Sequence, residues 1–246
     1  PRVLTESFLP RRSARTTSLE RTYRNISVAV RNAEGPLPYG VLPRKFLLFC
    51  ATQAIKSKSR QLALPSEREL FTMLGIPRCS KNQKSMRNQI RRLASTYIQI
   101  SYFPNNRRVL EHRGMIFESI VLEQDDYQLP LFSSHIVFSE TFYNTVLKTV
   151  NPFHGDMIAQ LSSALSLDVF LWLSIRLPNV VPEKTDKMTF KQLYDQFAQP
   201  GERKDNFLLA FKNALDKVGE VWPQVKGSVS LTGKAVELRY ARDLVP

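Results

Sequence analysis

Lys81, Asn82, Lys84, Arg87, Asn88 and Arg91 crowd into one short stretch of the chain, and their types and spacing could do chemistry. Lysine and arginine neutralise phosphates and release counterions, while arginine and asparagine pair bidentately with base edges in a major groove. The chemistry on offer is recognition of a polyanion, not bond making. A solvated helix carries the same residue types, so the flanking elements have to decide between the two readings.

The surrounding stretch, Cys79 to Phe103, reads as a helix running into a strand. With Met86 as origin and about 100° per residue, Ile90 and Leu93 share its side, and Lys81, Lys84, Asn88 and Arg91 lie opposite. After Ala94 the period becomes two, with Tyr97, Gln99, Ser101 and Phe103 on one face and Ile98, Ile100 and Tyr102 on the other. Pro104 to Arg108 is a turn bearing Arg107 and Arg108, and β-type residues are expected to resume from Met115 to Leu122.

Composition favours the polyanion reading. The formal charge is +13, and it is uneven: residues 1–127 hold 22 Lys+Arg against 10 Asp+Glu, and residues 128–246 hold 13 against 12. Nucleic acid or an anionic membrane surface would suit such a balance. The richest apolar run, Leu165 to Leu177, carries Asp168 and Arg176 and falls short of the ~20 residues of a bilayer span. It reads as a core helix. Cys50 and Cys79 have no metal-ligand spacing, which disfavours a disulfide framework or a zinc site and suits a reducing cytoplasm.

Motifs for other chemistry are absent. There is no GxxxxGK[ST] and no GxGxxG, so no nucleotide cofactor is implied. His112, His135 and His154 lie in different segments, and Asp125-Asp126 with Glu123 is an acidic turn; nuclease metal sites need carboxylates converging from separate elements. The expectation is no enzyme, no metal and no cofactor. A nicking or recombining enzyme stays as a disfavoured alternative, since any of eight tyrosines could be a nucleophile.

In chain order, residues 1–24 read as a basic arm and Asn25 to Val30 as a short strand. Leu42 to Ile55 is a first helix. Ser66-Glu67-Arg68-Glu69 is a capping box opening a second helix that ends at Gly75, and the basic helix is the third. Helix, short strand, helix, turn, helix and hairpin is the order of a winged helix-turn-helix.

A second such order follows. His135 to Phe138 is a strand, Ser139 caps a helix to about Lys148, and a core helix from Leu167 to Leu177 is capped by Ser166. Asn179 to Lys187 reads as a loop, Thr189 to Gln192 as another capping box, Asp205 to Trp222 as a helix and Lys226 to Arg242 as a hairpin. The expected fold is therefore α+β and predominantly helical, two tandem winged-helix domains with β-hairpin wings. The divisions are an arm at 1–24, a first domain at 25–130, a linking strand and helix at 131–152 and a second domain at 153–246. In the second domain Arg203, Lys204, Asn206, Lys212, Asn213, Lys226 and Lys234 are candidate DNA contacts. Leu209 with Asp205, Asp216 and Glu220 leaves open a dimerisation or host-protein surface there instead.

The chain resembles the RepA-type plasmid replication initiator proteins of bacteria. The stretches that carry the resemblance are LPYGVLPRKFLLFCATQAIKSKSRQLAL at 37–64, LGI at 74–76, QIRRLASTYIQI at 89–100, HIVFSETFY at 135–143 and LSLDVFLWLSIRL at 165–177. The resemblance implies a cytoplasmic bacterial initiator that binds repeated duplex DNA sites (iterons) at a plasmid origin. It also implies help in opening the duplex, recruitment of the host initiator and helicase, and a homodimer that represses its own gene. A winged-helix transcriptional repressor without origin activity is the alternative from the same fold class.

Overall fold

The computed structural model describes residues 9–13, 15–23, 25–103, 109–121, 134–147 and 155–240. Three antiparallel sheets and eight α-helices make up this part of the chain. β1 (Ser18–Tyr23), β2 (Ile26–Asn32), β4 (Thr96–Tyr102) and β5 (Val109–Met115) form a four-stranded sheet in that order. β3 (Gln61–Ala63), β7 (His135–Phe138) and β6 (Phe117–Val121) form a second, and β8 (Thr185–Thr189), β10 (Ala235–Arg239) and β9 (Val229–Leu231) a third.

Two helices lie at the centre. α1 (Val41–Ser57) buries Phe46, Leu47, Leu48, Cys50, Ala51 and Ala54, and α6 (Ala164–Arg176) buries every residue from Ala164 to Ser174. A helix apolar on all sides can only sit inside. Phe46 of α1 meets Phe117 at a tilt, and Phe117, Phe138 and Phe142 stack in series, with Phe117 and Phe138 near-parallel at 5.0 Å. Around α6 lie Trp172, Phe197 and Phe211 at edge-on or tilted angles. A single continuous core joins the two groups.

The remaining helices are α2 (Glu67–Met73), α3 (Ser80–Ala94), α4 (Glu140–Leu147), α5 (Gly155–Gln160), α7 (Phe190–Phe197) and α8 (Lys204–Val221). Both expected capping boxes are present, Ser66 with Glu69 on α2 and Thr189 with Gln192 on α7. Ser139 Oγ accepts from the Phe142 N–H at the start of α4.

Several expectations are corrected. Residues 18–23, inside the supposed arm, form β1, whose inward Arg21 and Tyr23 are buried against the sheet and α7. The strand returning beside β4 is Val109–Met115; Phe117–Val121 belongs to a different sheet, beside β7. The alternation along β4 is as expected, with Ile98, Ile100 and Tyr102 paired to the buried Val30, Val28 and Ile26 of β2, although Ser101 on the other face is buried as well. The register irregularity lies in β5, where Glu111 is the extra residue between Leu110, opposite Ser101, and His112, opposite Ile100. α6 starts three residues earlier than expected, capped by Ser163, whose hydroxyl accepts from the Ser166 N–H. Residues 185–187, read as the end of a loop, open a strand, Thr185–Thr189, that pairs with β10.

Buried cations tie the first half of the chain to the second. Arg44 on α1 donates to both carboxylate oxygens of Asp168 on α6, at 2.8 and 3.0 Å, and to the carbonyls of Leu9, Pro10 and Gly40. All five guanidinium donors are thereby used. Lys45 Nζ bridges Leu74 O at 2.7 Å and Ala159 O at 2.8 Å, joining the end of α2 to α5. Arg21 donates to Gln196 O on α7 at 2.8 Å, and burial lowers its pKa to about 10, so it remains charged at neutral pH.

Two of the buried bases give stability an expected pH signature. His112 on β5 is buried edge-on against Phe142, and desolvation lowers its pKa. The fold keeps it neutral while the unfolded chain protonates it near about 6.5. Its contribution is therefore present above that pH and lost as pH falls below it. Desolvation likewise brings Lys45 from 10.5 to about 8. Between those values the unfolded chain holds a proton that the fold releases, so stability rises with pH across that window, by up to about 3 kcal/mol. Urea unfolding at about pH 5, 7 and 9 should show both limbs; His112→Phe should flatten the acid one and Lys45→Met the alkaline one.

Candidate nucleic-acid interface

The basic helix is positioned by a tight turn. α2 stops at Leu74, Gly75 takes φ +59°, and the Ile76 N–H returns to Phe71 O at 3.0 Å. Asn82 Nδ2 then closes the turn onto Pro77 O at 2.7 Å. Across it, Glu67 in the first turn of α2 accepts from Gln83 and from Arg87 Nη2, the latter at 2.9 Å, with Arg78 at 3.9 Å. Glu67 fixes the angle between α2 and α3. Its separation of 16 and 20 residues from its two partners hides that role from local sequence patterns.

α3 buries Met86, Gln89, Ile90 and Leu93 and exposes Lys81, Lys84, Asn88 and Arg91, as the helical phase requires. Gln89 was not singled out. Its Oε1 accepts from the Tyr39 N–H at 2.8 Å, and Arg92 beside it donates to Leu37 O and lies 5.4 Å over the Tyr39 ring. These contacts hold the 37–39 turn against one flank of α3. The start of α3 differs from that of α2. Cys79 offers no side-chain cap and the first turn has no carboxylate, whereas α2 has a capping serine and two acids. A helix start of this kind suits a phosphate oxygen, because the backbone N–H groups and the dipole there favour an anion.

Of the first group of candidates, Lys81, Lys84, Asn88 and Arg91 therefore share one exposed face. Asn82 and Arg87 are half-buried and engaged in the turn and with Glu67. Arg78, exposed just ahead of the helix, joins the cluster; the Pro77-Arg78-Cys79 sequence at the helix start was the available signal. Arg107 and Arg108 lie outside the described residues. On the outer face of the four-stranded sheet Arg31 is paired with Tyr97, and Arg113 Nε donates to the Tyr97 hydroxyl at 2.7 Å. This row was also not singled out, since its members come from three strands.

In the second half, α8 buries Phe207, Phe211, Ala214, Leu215 and Val218. Arg203, Lys204, Asn206, Lys212 and Asn213 are exposed along it, with Leu209 at 61% exposure between them. The structure does not gather the whole second group. Lys226 follows the far end of α8, roughly 25 Å from Lys204 at 1.5 Å per residue, with its aliphatic stem 3.2 Å from where a Gly219 side chain would sit. Lys234 is in the β9–β10 turn, its carbonyl accepting from the Phe190 N–H at the start of α7. Among the described residues no three metal-ligating side chains cluster, and no helix is long and apolar enough to cross a membrane.

Comparison with known proteins gives two findings. A family model described as "Plasmid encoded RepA protein" matches residues 37–196. The fold is similar to that of domains 2 and 3 of RctB in two crystal structures. One, of selenomethionine derivatives, has a TM-score of 0.65 at 13% identity and covers 97% of this chain and 96% of that one. The other has a TM-score of 0.60 at 14% identity, covering 94% and 93%. No curated protein matches the chain.

Proposed function

The chain belongs to the family of plasmid-encoded RepA proteins, and from that premise we propose that it is a plasmid replication initiator that binds repeated duplex sites at its origin. The observation that carries this reading is α3: one face is locked into the core by Met86, Gln89, Ile90 and Leu93, and the other presents Lys81, Lys84, Asn88 and Arg91 to solvent. A helix held this firmly can enter a major groove at small ordering cost. Its cations meet phosphates while Asn88 and Arg91 reach base edges.

On this reading each half is a winged helix. α1, α2, α3 and the β4–β5 hairpin form the first; α6, α7, α8 and the β9–β10 hairpin form the second. The division at about residues 25–130, 131–152 and 153–246 is part of the same proposal. So are a non-enzymatic mode of action, recruitment of host initiator and helicase, a homodimer with repressor activity, and a bacterial cytoplasmic setting. Duplex opening would follow from binding energy spent on deformed DNA.

The test is a footprint on the plasmid that encodes the protein, with affinity titrated against salt. Repeats protected at a helical spacing are expected, with a slope of log K on log salt beyond about −3, since each phosphate contact contributes about −0.9. Protection of a lone promoter site, without single-strand opening of supercoiled origin DNA, would instead make the protein a repressor. Arg91→Ala should weaken binding while changing stability by no more than about 0.5 kcal/mol. Ile90→Ala, at a fully buried position, should cost about 2–5 kcal/mol of stability. Reversed phenotypes would overturn the assignment of faces.

A further inference from the structure

We propose that Arg11 is a positioning residue: with it, the segment Leu9–Arg12 straps the two halves together and sets the spacing between the DNA elements the protein accepts. The proposal rests on the two-lobed binding reading above. The strap threads between elements of both halves. Leu9 is buried, and its carbonyl and that of Pro10 accept from Arg44 of α1, while Pro10 O also takes the Gly40 N–H at 3.0 Å.

On its other side the Arg11 N–H donates to Gln199 Oε1 at 3.0 Å, and its guanidinium pairs with Glu202. Gln199 and Glu202 form the turn that launches α8. Glu202 is itself held there, accepting from the Gln199 N–H at 2.9 Å, and its carbonyl accepts from the Tyr194 hydroxyl. A chain of bonds thus runs from α1, which packs on α3, through the strap to Glu202 in the turn two residues before α8. The Arg11 and Glu202 side chains are only 9% and 11% exposed, so salt and water compete with the pair far less than on a surface.

The consequence is geometric. Inserting one base pair moves the second groove by about 3.4 Å and rotates it by about 35° relative to the first. A rigid joint cannot follow both, so spacing becomes part of specificity. Breaking the strap should relax the spacing requirement without removing any DNA contact.

The experiment measures affinity for the footprinted repeat with zero, one or two base pairs added or removed between its two protected grooves, for wild type, Arg11→Ala, Glu202→Gln and Arg11→Lys. Wild type should lose about tenfold or more for each altered spacing. Arg11→Ala and Glu202→Gln should lose only a few-fold, and Arg11→Lys should recover most of the discrimination. The two disrupting variants change net charge in opposite directions. A shared relaxation is therefore not an effect of the overall field, whereas opposite shifts in affinity with unchanged discrimination would overturn the proposal. Uniform loss at every spacing would also overturn it, as would thermal destabilisation without relaxation. Insensitivity of the wild type to spacing would overturn the two-lobed reading and the strap with it; a spacing-sensitive wild type and equally sensitive variants would overturn the strap alone.

Discussion

Asp168→Ala is expected to cost about 3–5 kcal/mol of stability, because it leaves the Arg44 guanidinium charged and without its carboxylate in the interior. The three carbonyls from Leu9, Pro10 and Gly40 would remain as acceptors, but carbonyl dipoles do not replace a full negative charge. Urea unfolding gives the value directly. The companion double variant Arg44→Met/Asp168→Leu removes both charges and should be far milder, neutral or stabilising, since the desolvation penalty goes with the pair. If the single and double variants were equally damaging, packing rather than charge would be what Asp168 supplies. If the double variant kept full stability but lost tight DNA binding, the ion pair would be set by geometry and not by stability.

Gly75→Ala should be the other large loss, about 2–4 kcal/mol, and it has two sources. The residue sits at φ +59°, where an L side chain is strained. A Cβ there would also lie 2.4 Å from Ala159 O, a backbone atom of α5 that cannot swing aside. Ala159 O is one of the two acceptors of Lys45, so displacing α5 would also break that bridge. Gly201, at φ +75° with nothing nearby, is the control: Gly201→Ala should carry the strain alone, about 1 kcal/mol. Equal losses at the two positions would remove the argument from close approach.

What could be read from the sequence was what depends on neighbours a few residues away. The inner and outer faces of α3, both capping boxes and the change of period at Ala94 all follow from local spacing, and the structure has them in place. The strands that were missed share a different property. In β1 an arginine occupies a core position, and its acceptor, Gln196 O, is 175 residues away. In β5 a histidine does so, against Phe142, and in β8 only Met188 points inward. A polar residue at a core position disguises alternation unless its distant partner is known. The candidate site divides the same way. The exposure of Lys81, Lys84, Asn88 and Arg91 was legible, while the hold of Glu67 on Gln83 and Arg87, and of Tyr39 on Gln89, was not.

The bridging cations also bear on how such proteins can be recombined. A hybrid that joins the first half of this chain to the second half of a relative would inherit Arg11 and Arg44 but not the carboxylates they pair with, Glu202 in the turn before α8 and Asp168 on α6, whereas Arg21 and Lys45 donate to backbone carbonyls that the same fold supplies. Arg11 and Arg44 would then each hold a buried charge with no carboxylate to balance it, and the Leu9, Pro10 and Gly40 carbonyls left around Arg44 do not replace one. Exchange of halves between relatives therefore requires moving Asp168 and Glu202 together with residues 9–12 and Arg44, or replacing the whole set by apolar side chains at once.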